Sequence, residues 1–311
     1  MIEEHHIESK EQWLKLREQD VTCSVAAALP DIDLHAHVTP LQLWTEKAGK
    51  IPAGATDNPA MRRGRLIERL AIPLIEEARP DWTVEKSNVY LRDREHRLGG
   101  TPDFEVITPS GLRGNVQFKS VEPYLFERTW RVDGAIVPPT WIGIQTLLET
   151  YLTGADFAMI GVCRIGYGVD FDLIEVPLTD GLIERLQQAS LAFWESIEKN
   201  QPPEPNFERD ADIVRRLHAT TVKGETIDLT GNNRLAILAD LDAEWALTEK
   251  NAKQEREAIK AEVLHMMGSA EIGLFNGEVA VTAKKIDKQA EKVPRPAYSY
   301  RSVLFKLGTA V

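Results

Sequence analysis

Apolar positions recur at helical spacing over residues 10–29, where Trp13, Leu14, Leu16 and Val21 lead into the small-residue run Val25-Ala26-Ala27-Ala28. One helix is predicted there, interrupted at Pro30. Thr39-Pro40 opens a short helix bearing Leu41, Leu43 and Trp44, with proline in the first turn, where its missing N–H breaks no hydrogen bond. Residues 61–78 continue as a longer helix, kinked or broken at Pro73. From Thr83 the period falls to two. Strands are predicted at 84–91, 102–108 and 114–121, the last two joined by the turn Pro109-Ser110-Gly111. Helical spacing returns over 139–153 and 182–199, on either side of short strands at 157–164 and 171–176.

The segment Gln201-Pro202-Pro203-Glu204-Pro205 can neither continue a helix nor pair inside a sheet, which sets a domain boundary between residues 1–205 and 206–311. Beyond it, Leu238, Leu241, Trp245, Ala252, Ile259, Val263 and Met266 lie close to a heptad seam in a helix over 233–267, with Gly268 as its C-cap. Asn276-Gly277 is a hairpin turn between short strands, and a last strand is predicted at 298–306. The expected architecture is α/β: a central mixed sheet flanked by helices, then a helical and β-hairpin module that serves structure or oligomerisation.

A chain of 311 residues holds one to two domains. No apolar run approaches the roughly 18 residues of a membrane span. The acidic, His-bearing start lacks the features of a secretory signal, so a cytoplasmic location is expected. Cys23 and Cys163 are too few for a disulfide framework or a four-thiolate metal site. A net charge of −11 argues against a protein that coats nucleic acid by bulk electrostatics. It leaves room for a nuclease, whose carboxylates hold metal while a local basic rim holds DNA.

Asp103 ends one strand segment, and Gln117-Phe118-Lys119 lies on the next. Alternation places Gln117 and Lys119 on one face with Phe118 turned into the core. Asp103 can then share a hard cation with Gln117 and the Phe118 carbonyl, while Lys119 orients an attacking water or stabilises charge on a phosphate. Glu68, on the helix before the sheet, can approach the same cation; read alone, it is one more charge on a solvated helix face. Arg62, Arg63, Arg65 and Arg69, with Arg92, Arg94 and Arg97, are candidates for the basic rim.

In this order the motifs resemble those of the lambda-exonuclease-type, or YqaJ-like viral recombinase, branch of the PD-(D/E)XK nucleases, over roughly residues 11 to 200. Trp13-Leu14-Lys15-Leu16-Arg17 and Val21-Thr22-Cys23-Ser24 are similar to the family's opening signature, and Gly64 to Glu68 to its Gly-x-x-x-Glu helix. Thr101-Pro102-Asp103 resembles its Ser-Pro-Asp strand. Gln117-Phe118-Lys119 stands where Glu-x-Lys is usual. Gln145 resembles the first glutamine of a Gln-x-Gln helix, with Leu147 in place of the second. The resemblance implies that Glu68, Asp103, Gln117 and the Phe118 carbonyl hold Mg²⁺, with Mn²⁺ as a substitute, and that Lys119 and Gln145 complete the catalytic set. It places Arg17, Ser24 and Thr101 around the 5′-terminal phosphate of a DNA end. Taken alone, Arg17 reads as a surface ion-pair partner and Ser24 as a capping hydroxyl.

The implied activity is Mg²⁺-dependent exonuclease digestion of linear duplex DNA, 5′ to 3′, by a phage or prophage protein in the bacterial host cytoplasm. The implied partners are double-stranded DNA ends, further copies in a ring-like homo-oligomer, and a single-strand annealing protein of phage-type recombination. Gln117 is the departure: its amide oxygen can ligate Mg²⁺ but brings no charge. A working variant, a weakened or inactive enzyme that binds DNA ends, and a substitution that traps substrate all remain open. Asp33-Leu34-His35-Ala36-His37 also copies the His-x-His strand of amidohydrolase barrels, but the other metal ligands of such a barrel are missing, and a surface loop is expected instead.

Overall fold

The computed structural model describes residues 1–52 and 59–284. It opens on β1 (Ile2–His6), in a segment where no element was predicted. Helix α1 (Lys10–Gln19) is capped by Ser9, whose hydroxyl accepts from the Gln12 amide at 3.1 Å. The predicted helix over 10–29 stops at Gln19, because Asp20 is buried in an extended conformation. Its carboxylate accepts from Tyr90 Oη at 3.0 Å and Arg92 Nε at 2.9 Å, and Lys47 Nζ donates to its main-chain oxygen at 2.7 Å. The chain continues as β2 (Val21–Thr22) and a 3-10 turn, Cys23–Ala28, whose alanines pack into the core.

Helix α2 (Pro40–Lys47) forms as the sequence predicts, with Thr39 Oγ1 accepting from the Gln42 amide at 3.1 Å. The long helix predicted over 61–78 is two, α3 (Pro59–Ile67) and α4 (Ala71–Ala78), separated by a 3-10 turn, Glu68–Leu70. Pro73 accounts for the break. Without an N–H, and with a ring that would collide with the Arg69 carbonyl, it is accommodated only in the first turn of a new helix.

The strands β3 (Thr83–Lys86), β4 (Val89–Asp93), β5 (Leu98–Gly100), β6 (Phe104–Ile107) and β7 (Arg113–Val121) follow. The run 84–91, predicted as one strand, therefore feeds two sheets. Helix α5 (Pro123–Thr129) and the small ladder β8 (Arg131–Val132) and β9 (Ala135–Ile136) lead to α6 (Thr140–Thr153), then β10 (Phe157–Ile165), β11 (Val169–Val176), α7 (Leu182–Glu198) and α8 (Phe207–Leu217). The central five-stranded sheet has the order β11-β10-β7-β6-β3. It is mixed: β7 and β10 are parallel and the other pairs antiparallel. A parallel pair needs a crossover, and α6 supplies it. A second sheet, β1-β4-β5-β2, lies under the 3-10 turn. The α/β class, a central mixed sheet flanked by helices, is as the pattern predicts.

The proline-rich segment lies inside the first compact unit, which runs Met1–Leu217. It falls short of the boundary because α8 returns to the body: Ile213 packs with Leu41 and Ile51, and buried Asp210 accepts from Thr39 Oγ1. The second unit, His218–Val311, contains α9 (Asn233–Met267) and a hairpin of β12 (Ile272–Phe275) and β13 (Glu278–Thr282). Gly268 caps α9, its amide donating to the Leu264 carbonyl at 3.0 Å. Asn276 and Gly277 both take positive φ, 53° and 86°, as a tight hairpin turn demands. The strand predicted at 298–306 lies outside the described residues. No helix among the described residues is long and apolar enough to cross a membrane.

Candidate active site

Strand β7 is the spine of the site. Phe118 points into the apolar layer, its ring 6.4 Å from Phe104 and 6.3 Å from Phe171, while Gln117 and Lys119 emerge on the opposite face toward α6. That face forms the floor of a cleft of about 480 Å³. Glu68, Asp103, Gln117, Phe118, Lys119 and Gln145 line it, and so do Arg17, Ser24 and Thr101. All nine residues predicted for the site therefore reach one cavity, from segments as distant in sequence as α1 and α6.

The polar groups of the floor form a directed chain. Lys119 Nζ can only donate, and it does so to Gln145 Oε1 at 3.0 Å. Gln145 Nε2 is thereby turned toward Gln117 Oε1, 2.7 Å away, and Glu149 Oε1, 2.9 Å away. Gln117 must then present Nε2 to Asp103 Oδ2, which also accepts from the Phe118 amide at 3.0 Å. The lysine fixes both amide orientations. The Gln117 oxygen expected to face a cation is in this arrangement engaged by Gln145. Lys119 also lies over the Trp141 ring, 5.9 Å from its centroid.

Burial pushes the Asp103 carboxyl up from its ordinary range, against the pull of Lys119, and Glu68 adds to the rise. Glu149 is pushed up more strongly, first by burial and then by the charge of Asp103. Glu68, at the break between α3 and α4, is half-buried and paired with Lys86 Nζ at 2.7 Å. Among the described residues no three His, Cys, Asp or Glu side chains already converge on one point that could hold a metal. What the floor does offer is a hard-oxygen set: the Asp103 and Glu149 carboxylates and the Phe118 carbonyl, with Glu68 at the margin. Mg²⁺ and Mn²⁺ take such donors and keep several waters. Cys23 does not compete, since burial drives its thiol far from ionisation.

The other end of the cleft is positive. Arg17 stacks on the Trp13 ring at 4.4 Å and, among the described residues, has no carboxylate partner; burial lowers its pKa. The surface ion pair it could have made is absent there. Trp13 Nε1 donates to Thr101 Oγ1 at 3.1 Å, and Thr22 Oγ1 and Ser24 Oγ lie 3.2 Å apart, all in residues that line the same cleft as Arg17. Ser24 makes no helix cap. Of the rim arginines, Arg62 and Arg69 are exposed, whereas Arg92 is paired with Asp20, Arg94 lies 3.6 Å from Glu3, and Arg97 stacks 3.4 Å over Trp194. The second half of the expected rim is thus engaged within the fold.

The His-x-His segment makes no metal site. His35 is buried, with Nδ1 accepting from the His37 and Val38 amides at 3.0 and 2.9 Å and Nε2 facing the Ser24 carbonyl at 3.1 Å. Both ring nitrogens are occupied. The sequence reading missed Glu149. Its signal was available: an acid four residues after Gln145, hence on the same helical face, within the otherwise apolar run Leu147-Leu148-Glu149.

Comparison with known proteins bears on this cleft. The protein named Uncharacterized protein YqaJ from Bacillus subtilis (strain 168) is 23% identical over 291 residues, covering 91% of this chain and 88% of its own. The alkaline exonuclease LHK-Exo from Laribacter hongkongensis superposes with a TM-score of 0.48 at 18% identity, covering 66% of this chain and 100% of that one. A phage related exonuclease from Haemophilus somnus 129PT gives 0.44 at 16% identity, covering 63% and 96%. Residues 12–156 match the family model of the YqaJ-like viral recombinase domain, a stretch that holds every residue lining the cleft, from Trp13 to Glu149.

Proposed function

We propose that the chain is a divalent-metal-dependent exodeoxyribonuclease that hydrolyses linear double-stranded DNA from its ends, 5′ to 3′. One observation carries this reading. A single cleft joins an acidic end, with half-buried Asp103 and buried Glu149 beside Lys119, to a positive end where Arg17 has no carboxylate partner among the described residues. When bound, Mg²⁺ or Mn²⁺ supplies Lewis-acid polarisation of the phosphodiester and neutralises its charge. Asp103 and the Phe118 carbonyl hold the ion, and Glu68 approaches once freed from Lys86. Gln117 orients Asp103 by donating to it. Lys119, held by Gln145, lies where it positions the attacking water and donates to the phosphate. Arg17, Ser24 and Thr101 receive the 5′-terminal phosphate, whose double charge suits a guanidinium flanked by hydroxyls.

In α9, Leu238, Leu241, Trp245, Ile259 and Met266 are exposed at the predicted seam, which supports assembly with further copies of this chain. A ring of such copies that hands single strands to an annealing protein completes the proposal. The second reading, a DNA-end-binding protein without turnover, draws on Gln117. Purified protein incubated with linear and closed-circular duplex, with and without Mg²⁺, separates the two. Metal-dependent loss of the linear form alone supports the exonuclease; linear DNA that is bound and stays intact supports the binding protein.

A further inference from the structure

Glu149 is 2% exposed, on the face of α6 that looks into the cleft. Its Oε1 accepts from Gln145, but its Oε2 is enclosed and has no hydrogen-bond partner. The neighbouring Asn115 carboxamide directs its Nδ2 to Thr146 O and Thr150 Oγ1, at 3.2 and 3.3 Å, and its own Oδ1 is likewise enclosed without a partner, so it presents Glu149 with an acceptor rather than a donor. The neighbouring lysine, Lys119, is held by Gln145. An acid buried beside a second acid, Asp103, with one oxygen that no protein donor meets, is costly to ionise until a cation is bound. Strand position 117, meanwhile, carries an amide where the resembling family carries an acid, and that amide gives Asp103 a donor.

We propose that Glu149 supplies, from helix α6, the second cation-binding carboxylate that strand β7 lacks at Gln117, so that the acid has moved from strand to helix around the same ion. The inference rests on the cleft being a metal site, as proposed above. Gln117 is then a positioning residue for Asp103, and the bare Oε2 is the atom that meets the ion. The count of acids at the site is preserved: two carboxyls, half-buried Asp103 from the loop before β6 and buried Glu149 from α6.

The test uses the full chain and Mn²⁺ alone, read by isothermal titration calorimetry without DNA. Glu149→Gln keeps the shape and the acceptor for Gln145, and is expected to weaken Mn²⁺ binding at least about tenfold. In the double variant Gln117→Glu/Glu149→Gln the acid returns to the strand, and binding is expected to recover to within about threefold of wild type. Melting of the metal-free proteins gives a second readout. Glu149→Gln should melt no lower than wild type, yet lose most of the rise in Tm that Mn²⁺ produces. If wild type binds Mn²⁺ and Glu149→Gln binds it equally well, the proposal is overturned while the metal site stands. If wild type binds no Mn²⁺, the metal-site reading fails and this proposal with it. Should Glu149→Gln not fold, the anomalous Mn²⁺ peak in wild-type crystals decides. A peak within coordination distance of a Glu149 oxygen supports the assignment, and one that leaves Glu149 unliganded refutes it.

Discussion

The two ends of the cleft are unfinished in opposite ways. At the α6 end, four side chains from two elements satisfy one another through a one-directional relay, and what is left over is an acid, with a carboxyl oxygen on Glu149 that no protein donor meets. At the α1 end, Arg17 stacks on the Trp13 ring in a cleft also lined by Thr22, Ser24 and Thr101, and what is left over is positive, a guanidinium with no acid beside it among the described residues. A folded chain gains nothing in stability from either residue of charge. Under the proposed function the two ends have different ligands, a cation at one and the terminal phosphate of a DNA end at the other.

Breaking the acidic end has the largest expected effect. Lys119→Ala should slow hydrolysis of linear duplex by about 10²- to 10⁴-fold, measured as release of acid-soluble nucleotides, while the dissociation constant for a 5′-phosphorylated duplex in Ca²⁺ changes little. A loss of binding as large as the loss of rate would merge the two ends into one binding surface. The positive end is tunable by pH through the ring that supports Ser24. Burial lowers the pKa of His35 from 6.5 to about 4, and its Nδ1 accepts two backbone amides. A folded pKa below the unfolded one means that the unfolded chain binds the proton first. Stability is therefore full above pH 6.5 and falls as pH drops toward about 4. The loss attributable to His35 is roughly 3 kcal/mol, and His35→Gln should remove that part of the slope in urea titrations across this window. A smaller effect is expected between the ends. A Cβ on Gly100 would lie 2.5 Å from Cys23 Sγ, so Gly100→Ala should cost about 1–3 kcal/mol by displacing the turn that carries Ser24. Unchanged thermal stability would show that this turn yields freely.

Much of the catalytic face was legible because a strand's period is strict: once 114–121 is a strand, Gln117 and Lys119 share a face and Phe118 does not. Helix ends marked by local chemistry, Thr39-Pro40 and Gly268, were legible for the same reason. What depends on distant partners was not. The stop of α1 is written in Tyr90 and Arg92, some seventy positions away, which hold Asp20. β1 reads as a charged tail until β4 pairs with it, and α8 reads as part of the linker region until Ile213 meets Leu41 and Ile51. Arg92 and Arg97 looked like rim charges for want of knowing that Asp20 and Trp194 lay beneath them. Glu149 was hidden differently: periodicity counts it as one polar residue in an apolar helix, and only its enclosure marks it as an unbalanced charge.

The most direct test of the two-ended cleft is the rate of Mg²⁺-dependent digestion of the same linear duplex carrying either 5′-phosphate or 5′-hydroxyl ends, in wild type and in Arg17→Ala. The account predicts that wild type prefers the phosphorylated end by about tenfold or more, the scale of a charge-assisted contact, and that Arg17→Ala loses the preference while retaining metal-dependent turnover. Equal rates on both ends in an active wild type would contradict it.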